Sequence, residues 1–333
     1  MPYKFSLTRQ KIISLVILVF IKYSGATKEM NVAVIIRTPR PQDIEQVVEI
    51  SKEGYPESPE IPKHWAEPDA RRYYVAEEDG EVVGYGCLKH DLARQPEVPQ
   101  YRLHLGVRRD RRGRSIGGRL YEHLYEALVG LRATNVWARV RQTETDALAF
   151  LERRGFVDRQ RSVRLALDVP ASVPEVSPPP GIHITTLKDE LDRNPACWPA
   201  IHELLNLCSA DIPTANPTPP VTFEEFERDM RDPALLFDGF FLAKADERYV
   251  GLSFLGTAGS PATLGQRLTG THPEYRRRGI AMALKVCTMR YAREHGYQRI
   301  ITATNALNTG MLAVNQALGF KHWYTEVRLH RPV

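Results

Sequence analysis

Two stretches of the chain, far apart in sequence, carry the same pattern of residues at one constant separation. Residues 107–120 read "VRRDRRGRSIGGRL" and residues 271–284 read "THPEYRRRGIAMAL", which is a shift of 164 positions. The same shift, without a gap, carries "RRGF" at 153–156 onto "ALGF" at 317–320. An internal repeat of this kind restricts the fold more than any local pattern does, because it predicts one structural unit written twice.

The sequence around the two stretches predicts the same order of elements. Upstream, "RYYVAEEDGEVVGYGCL" predicts two strands around an Asp-Gly turn, and "GFFLAKADERYVGLSFL" predicts the same in the second copy. "YRLHLGV" and "GQRLTGT" then predict strands that lead into each repeated stretch. A helix with apolar residues at helical spacing follows and ends near Gly130 or Gly296, and then come a strand, a second helix and a last strand.

Length and composition agree with two globular domains. A chain of 333 residues favours two domains of ordinary size, and its 43% hydrophobic content is typical of globular proteins. We expect one domain at 34–168 and another at 182–333. The proline-rich segment "VPASVPEVSPPPG" at 169–181 is predicted to be a stiff spacer outside the cores.

The second repeated stretch points to an anion. Residues 272–285 read "HPEYRRRGIAMALK", so arginines and a glycine crowd the start of an apolar helix. A helix N-terminus presents unpaired N–H groups and the positive end of a dipole, and a glycine there lets a ligand approach the backbone. The residues alone leave open a solvated basic turn as the alternative.

Other classes of site are disfavoured. The P-loop motif of NTPases is absent, and the arginine runs lack the interleaved aromatic residues typical of nucleic-acid binding. Cys87, Cys197, Cys208 and Cys287 have no C-x-x-C spacing, which argues against a disulfide scaffold and a zinc site. We therefore expect no metal and no nucleic-acid partner.

The order of strand, Arg-x-x-Gly-x-Ala, helix, strand, Asn-x-x-x-x-x-x-Asn and Leu-Gly-Phe resembles the GNAT superfamily of N-acetyltransferases. The resemblance covers residues 34–333 in two copies and is tighter in the second. It implies an α+β (α/β three-layer) fold of two tandem GNAT domains, each a mixed, mostly antiparallel, splayed sheet flanked by helices. The tandem arrangement is similar in architecture to the mycothiol synthases.

The resemblance also implies a donor and a site. The donor would be acetyl-CoA, with its pyrophosphate on the backbone amides of residues 277–282 and its pantetheine arm along a strand that splays from its neighbour. Arg276 would brace the loop, and Arg277 and Arg278 would face solvent and meet the 3′-phosphate. The cofactor-binding residues implied in this way are Thr271, Arg276, Arg277, Arg278, Gly279, Ile280, Ala281, Met282 and Asn308.

The catalytic residues are less directly indicated. Asn315 stands where the family usually has a tyrosine, and an amide can hydrogen-bond the sulfur of CoA but cannot donate a proton to it as an acid. Tyr324 on the last strand is a candidate substitute. Asp211 is the candidate for binding or deprotonating the amine, with Glu224 and Glu225 as alternatives. These carboxylates could equally cap a turn or open a helix.

The first copy departs from the pattern at three positions. Ser115 stands for Gly279, Glu144 for Asn308 and Leu151 for Asn315. The first domain is therefore predicted to be degenerate and the second to be active. The expected function is transfer of an acetyl group to a primary amine of a small molecule or peptide. The alternative is a non-catalytic acyl-CoA sensor or scaffold built from degenerate domains.

The first 33 residues need a separate interpretation. Basic residues precede the apolar run "IISLVILVFI", and "SGA" follows, which is typical of a secretory leader and too short to span a bilayer comfortably. The other interpretation is that translation begins at Met30. Because acetyl-CoA is a cytosolic donor, we expect a cytoplasmic protein without a stable membrane partner, although the leader-like stretch leaves export or anchoring open. A homodimer also stays open.

Overall fold

One mixed β-sheet of twelve strands runs through the residues that the computed structural model describes, which are 34–54, 71–90, 99–214 and 219–333. The leader-like segment and the start at Met30 lie outside these residues. Residues 34–333 form one compact unit. The mixed sheet, with helices on both faces, confirms the predicted fold class.

The elements follow the predicted order in both halves. The first half contains β1 (Ile35–Arg37), α1 (Ile44–Gly54), β2 (Arg71–Glu78), β3 (Glu81–His90), β4 (Gln100–Val107), α2 (Ile116–Gly130), β5 (Asn135–Arg141), α3 (Thr145–Glu152) and β6 (Val157–Asp168). The second half contains β7 (Ile182–Thr186), α4 (Leu187–Arg193), α5 (Trp198–Ala210), α6 (Phe223–Met230), β8 (Leu235–Ala245), β9 (Arg248–Ala258), β10 (Ser260–Thr271), α7 (Ile280–Glu294), β11 (Arg299–Asn305), α8 (Thr309–Ala317) and β12 (Lys321–Pro332). Asp79 and Gly80, both at positive φ, form the predicted Asp-Gly turn between β2 and β3.

The two halves exchange their last strands. The strand order is β1-β2-β3-β4-β5-β12-β6-β11-β10-β9-β8-β7, so β12 pairs with β5 of the first half and β6 pairs with β11 of the second. Val327 and Leu329 of β12 consequently pack in the core of the first half, while Leu165 and Leu167 of β6 pack in that of the second. The repeat predicts a separate sheet for each copy. The exchange of β6 and β12 joins the strands of both halves into one sheet.

In each half the sheet splays open at its central parallel pair. β10 and β11 are in register only from Thr263–Arg299 to Gly265–Ile301, and β10 then continues to Thr271 paired with β9 but not with β11. In the first half, β4 and β5 are in register only from Gln100–Asn135 to Arg102–Trp137. The splayed strand that the family resemblance implies is therefore confirmed.

Helices pack on both faces of the sheet in the second half. Ile280 and Leu284 of α7 pack with Ala243 and Val250 on one face of the second half. Helices α5 and α6 cover the other face, where Ile201 packs against the strand residues. The spacer prediction was wrong for Val173, which is buried in the core with the β6 leucines because its apolar side chain fills space beside them.

Candidate functional site: an anion cradle at the start of α7

The start of α7 is shaped by two residues in the left-handed backbone region. A short 3-10 turn at Pro273–Tyr275 follows β10, and Arg277 (φ +59°) and Gly279 (φ +88°) then turn the chain into the helix. Glycine adopts this conformation without steric cost, which explains why it stands immediately before Ile280. A Cβ at Gly279 would meet nothing closer than Pro179 Cγ at 4.0 Å, so the space above the glycine is open.

The backbone amides at this turn are available to a ligand. Within the described parts of the chain, no amide of residues 277–282 donates to another protein group. Such amides sit at the positive end of the helix dipole, an arrangement that favours anions. The residues present, from Arg277 through Ile280 and Ala281 to Met282, therefore suit a diphosphate.

Arg276 links β10 and α5 at this turn. Its Nε donates to the carbonyl oxygen of Thr271 at 3.1 Å, and its Nη2 lies 2.6 Å from Oδ2 of Asp211. Arg278 turns back toward the preceding turn, where its Nη2 donates to the carbonyl oxygen of Glu274 at 3.0 Å and its guanidinium lies over the ring of Tyr275. Asp211, the residue at the C-terminal end of α5, is thus brought beside the cradle although it is distant in sequence.

The first half builds the same backbone. The Nε of Arg112 donates to the carbonyl oxygen of Val107 at 3.0 Å, Gly113 has φ +78°, and Ser115 has φ +61° immediately before α2. A non-glycine residue in this conformation costs about 1 kcal/mol or more, so Ser115 holds the turn against a local preference. The first copy therefore keeps the backbone conformation of this turn and differs from the second copy in its side chains.

Asn308 and Asn315 occupy the two ends of α8. Asn308 is the N-cap, and its Oδ1 accepts a hydrogen bond from the Met311 amide at 3.1 Å. Asn315 is wholly buried and its Nδ2 donates to Oγ1 of Thr304 on β11 at 3.1 Å. Its Oδ1 is buried with no hydrogen-bond partner among the described residues. The hydrogen bond to Thr304 uses one of the two N–H donors of the Asn315 amide.

The alternative candidates, Glu224 and Glu225, lie in the first turn of α6. Glu225 forms a capping box with Thr222 at the start of α6: the Glu225 amide donates to the threonine Oγ1, and the glutamate Oε2 accepts from the Thr222 amide. Glu224 lies exposed in the same first turn. The structural interpretation of these two residues is therefore confirmed.

A buried lysine on α7 was missed by the sequence analysis. Lys285 is 1% exposed; its Nζ donates to Oε1 of Gln266 on β10 at 3.4 Å and lies 4.8 Å from the ring centroid of Phe320. Burial without a carboxylate lowers the pKa of Lys285 to about 7. The sequence signal was weak, because a lysine beside an apolar stripe is usually exposed.

A cavity of about 540 Å³ lies at the middle of the sheet and is lined by both halves. Tyr324 lines it, and the guanidinium of Arg141 from the first half lies 4.3 Å from the tyrosine ring centroid. Neither Asn315 nor the cradle residues are among the described residues of its wall. The structure thus brings Asp211 to the cradle and sets Tyr324 apart from it.

Comparison with known proteins decides the family. The family model described as "Acetyltransferase (GNAT) family" matches residues 42–156 and again residues 198–320. The chain belongs to the GNAT acetyltransferase family. This GNAT chain is an acetyl-CoA-dependent N-acetyltransferase in tandem form, and none of the comparisons supports the alternative of a non-catalytic sensor or scaffold.

Relatives share the tandem arrangement over most of their length. This GNAT chain is 27% identical over 272 residues to a mycothiol acetyltransferase of Acidothermus cellulolyticus, covering 78% of each chain. It is 25% identical over 276 residues to that of Saccharopolyspora erythraea, covering 79% of this chain and 86% of the relative.

Solved structures share the fold. A GCN5-related N-acetyltransferase from Sphaerobacter thermophilus superposes with a TM-score of 0.69 at 20% identity, over 90% of this chain and 95% of that one. A tandem GNAT protein from the clavulanic acid biosynthesis pathway superposes with a TM-score of 0.61 at 24% identity, over 80% and 84% of the two chains.

Two further observations concern the described residues only. None of their helices combines the length and apolar character needed to cross a membrane. No group of three or more His, Cys, Asp or Glu side chains among them could hold a metal ion.

Proposed function

We propose that the second half, residues 182–333, carries the acetyl transfer, and that the acceptor is a primary amine of a small molecule or peptide. The observation that supports this most directly is the run of unpartnered amides at 277–282 at the mouth of α7, beside a strand that has left its neighbour. The names of the relatives support a small-molecule acceptor.

In this proposal the diphosphate of acetyl-CoA binds the cradle amides and Arg277, while the pantetheine arm pairs with the free edge of β10 between Gly265 and Thr271. The Oγ1 of Thr271 is buried without a partner in the described chain, which suits a ligand group at that edge. Asn308 contributes by fixing the first turn of α8 beside the same opening.

Acetyl-CoA supplies the acetyl group as a thioester. The neutral amine attacks the carbonyl carbon, so that a C–N bond replaces the C–S bond; the amine proton is passed on and the thiolate is protonated as CoA leaves. Tyr324, which lines the cavity at the middle of the sheet, is the candidate acid. Asn315 is the candidate hydrogen-bond donor to the sulfur.

Asp211 is proposed to position the site. Its carboxylate lies 2.6 Å from the guanidinium of Arg276. The same ion pair joins the C-terminal end of α5 to the cradle. It therefore connects the segment that we expect to bind the acceptor to the loop that we expect to bind acetyl-CoA.

The test combines binding and turnover. Calorimetry with acetyl-CoA should show one site of useful affinity, and a panel of primary amines should produce steady release of free CoA thiol. Binding without thiol release above the rate of hydrolysis, across the whole panel, would contradict the catalytic proposal. Absence of binding would contradict the assignment of the cradle.

A further inference from the structure

A β-bulge interrupts β10 at the point where the sheet of the second half begins to splay. The register of β10 on β9 shifts by one residue between Gln266 and Leu268, so Arg267 is the extra residue of the bulge. A bulge leaves its extra residue out of the ladder and bends the strand. The last residue of β10 in register with β11 is Gly265, immediately before the bulge. The bend in β10 therefore coincides with the start of the splay.

The side chain of Gln266 bridges the bulge. This residue is 6% exposed, and its Nε2 donates to Oγ of Ser253 at 3.0 Å and to the carbonyl oxygen of Phe254 at 3.1 Å, both on β9. A main-chain carbonyl can only accept, so these contacts fix the orientation of the amide, with Nε2 toward β9 and Oε1 toward α7. The glutamine therefore holds the bulged part of β10 against its neighbour.

Two buried residues of α7 contact the other end of this amide. The Nζ of Lys285 donates to Oε1 of Gln266 at 3.4 Å, and Oγ1 of Thr288 lies 3.0 Å from the same oxygen. The threonine hydroxyl also lies 2.8 Å from the carbonyl oxygen of Lys285, and its single hydrogen can serve only one of the two acceptors. The lysine amine therefore supplies Oε1 with a second donor. The helix that begins at the cradle is in this way connected to β10 at the bulge.

Lys285 lowers the stability of the core that surrounds it. It is 1% exposed, and no carboxylate of the described residues pairs with it. Burial disfavours the charged amine, which is why the pKa of Lys285 falls to about 7. A methionine would fill a similar space without burying an amine. Residues that lower stability in this way are expected where function requires them.

The first half lacks this bulge. A Cβ at Gly84 of β3 would meet Leu120 of α2 at 3.1 Å. A Cβ at Gly251 of β9 would meet Leu284 of α7 at 3.0 Å. The two glycines therefore occupy equivalent positions, because the two leucines are separated by the 164 residues of the repeat. From Gly84 onward, β3 and β4 stay in register without a shift.

With the glycines aligned, core residues of the first half occupy the positions of the polar cluster. Where the second half has Ser253, Gln266, Lys285 and Thr288, the first half has Gly86, Leu103, Tyr121 and Leu124. Leu103, Tyr121 and Leu124 pack together in the core of the first half. The bulge and the cluster around it consequently belong to the half that we propose to carry the transfer.

We propose that Gln266, Lys285 and Thr288 are positioning residues for the acetyl transfer, which hold β10 in its bulged conformation so that its backbone contacts the thioester. The inference rests on the proposed transfer by the second half. Gln266 and Arg267 both line the cavity at the middle of the sheet, so the segment that is held forms part of its wall. A backbone donor that is fixed before the reaction stabilises the developing oxyanion without having to reorganise.

The first test compares variants that change single members of the cluster. Lys285→Met and Gln266→Met should each lower kcat by about ten- to a hundredfold, because a small displacement of the strand misaligns the thioester. The dissociation constant of CoA should stay within about twofold, since the cradle is unchanged. Thiol release and calorimetry measure the two quantities. Lys285→Met should be at least as stable as the wild type, so loss of stability would not explain its lower kcat.

A conservative pair separates the hydroxyl of Thr288 from its shape. Thr288→Val removes the hydroxyl and keeps the branched side chain, and it should lower kcat by about three- to tenfold. Thr288→Ser keeps the hydroxyl and should retain most of the wild-type kcat. Tyr121→Phe is the matched control at the position of Lys285 in the first half, where it removes the hydroxyl that accepts a hydrogen bond from Arg331. It should leave kcat unchanged even if the melting temperature falls.

A second readout does not depend on turnover. The wild type should bind acetyl-CoA at least about threefold more tightly than CoA, because the acetyl carbonyl accepts a hydrogen bond from the fixed backbone. Gln266→Met should bind the two ligands equally. A wild type without this preference, or folded Gln266→Met and Lys285→Met variants with the kcat of the wild type, would overturn the inference and leave the transfer intact. Absence of thiol release by the wild type with every amine would instead count against the proposed function, and the two affinities would then decide the inference alone.

Discussion

Arg276 and Asp211 form an ion pair of 2.6 Å that links the loop before α7 to the C-terminal end of α5. The first half repeats the relationship more loosely, since the Nη2 of Arg112 lies 3.8 Å from Oε2 of Glu53 near the end of α1. In both halves a carboxylate at a helix end therefore faces the arginine that braces the cradle.

Asp211→Asn should separate a positioning role from a basic one. Loss of an exposed ion pair is expected to weaken acetyl-CoA binding by about two- to fivefold and to leave kcat within about tenfold of the wild type. Calorimetry and steady-state thiol release measure the two effects. Glu53→Gln in the first half is the matched control and should change neither. A fall in kcat of about a hundredfold or more, with unchanged binding, would restore Asp211 as the base.

Gly279→Asp should abolish acetyl-CoA binding, because it places a carboxylate where we propose that the diphosphate binds and strains a backbone at φ +88°. Gly296→Asp is the control, since Gly296 follows the same helix at φ +75° in open space. Each change is expected to lower the free energy of unfolding by about 1 kcal/mol or somewhat more. If calorimetry found both variants binding acetyl-CoA as tightly as the wild type, the cradle would lie elsewhere.

The two halves are expected to contribute unequally to turnover. Arg112→Glu with Gly117→Asp should leave most thiol release intact, whereas Arg276→Glu with Ala281→Asp should remove it. We expect this because the first half has Ser115, Glu144 and Leu151 where the second half has Gly279, Asn308 and Asn315. Both double variants must first give a native circular dichroism spectrum. Equal losses in folded proteins would mean that both halves catalyse the reaction.

Lys285→Met should stabilise the protein in a pH-dependent way. The pKa of Lys285 is about 7 in the folded state and close to 10.5 when the chain unfolds, so the unfolded state binds more protons between these values. The stability of the wild type is therefore expected to rise with pH across this window, and the variant should lose that rise. Denaturant unfolding at about pH 6.5 and about pH 9.5 measures it.

The matched control for this prediction is Lys52→Met, which removes an exposed lysine from α1. It should keep the pH dependence of the wild type. A wild-type stability that stays flat across the window, or a Lys285→Met variant with the same slope, would show that Lys285 remains protonated in the folded protein.

The local sequence was sufficient for the elements and for the shape of the cradle. Gly279 takes a left-handed conformation before Ile280, and the apolar spacing after it indicates a helix. The turn and the helix can therefore both be predicted from neighbouring residues. Asn315 shows the limit of such reasoning. The sequence places it on the helix before Leu-Gly-Phe, but its burial against Thr304 depends on how α8 packs on β11, which no local pattern predicts.

By itself, then, the sequence determined the repeated unit, the family and the turn at residues 276–282, because each depends on short-range spacing or on a match between two stretches of one chain. Only the tertiary structure decided which half each last strand joins. β6 and β12 carry similar alternating apolar residues, so their pairing preferences are alike, and packing of the whole sheet selects the exchange. The pair of Arg276 with Asp211 and the contact of the Arg328 guanidinium with the ring of Trp137 follow from that assembly, since their members come from distant segments that meet only when the sheet is complete.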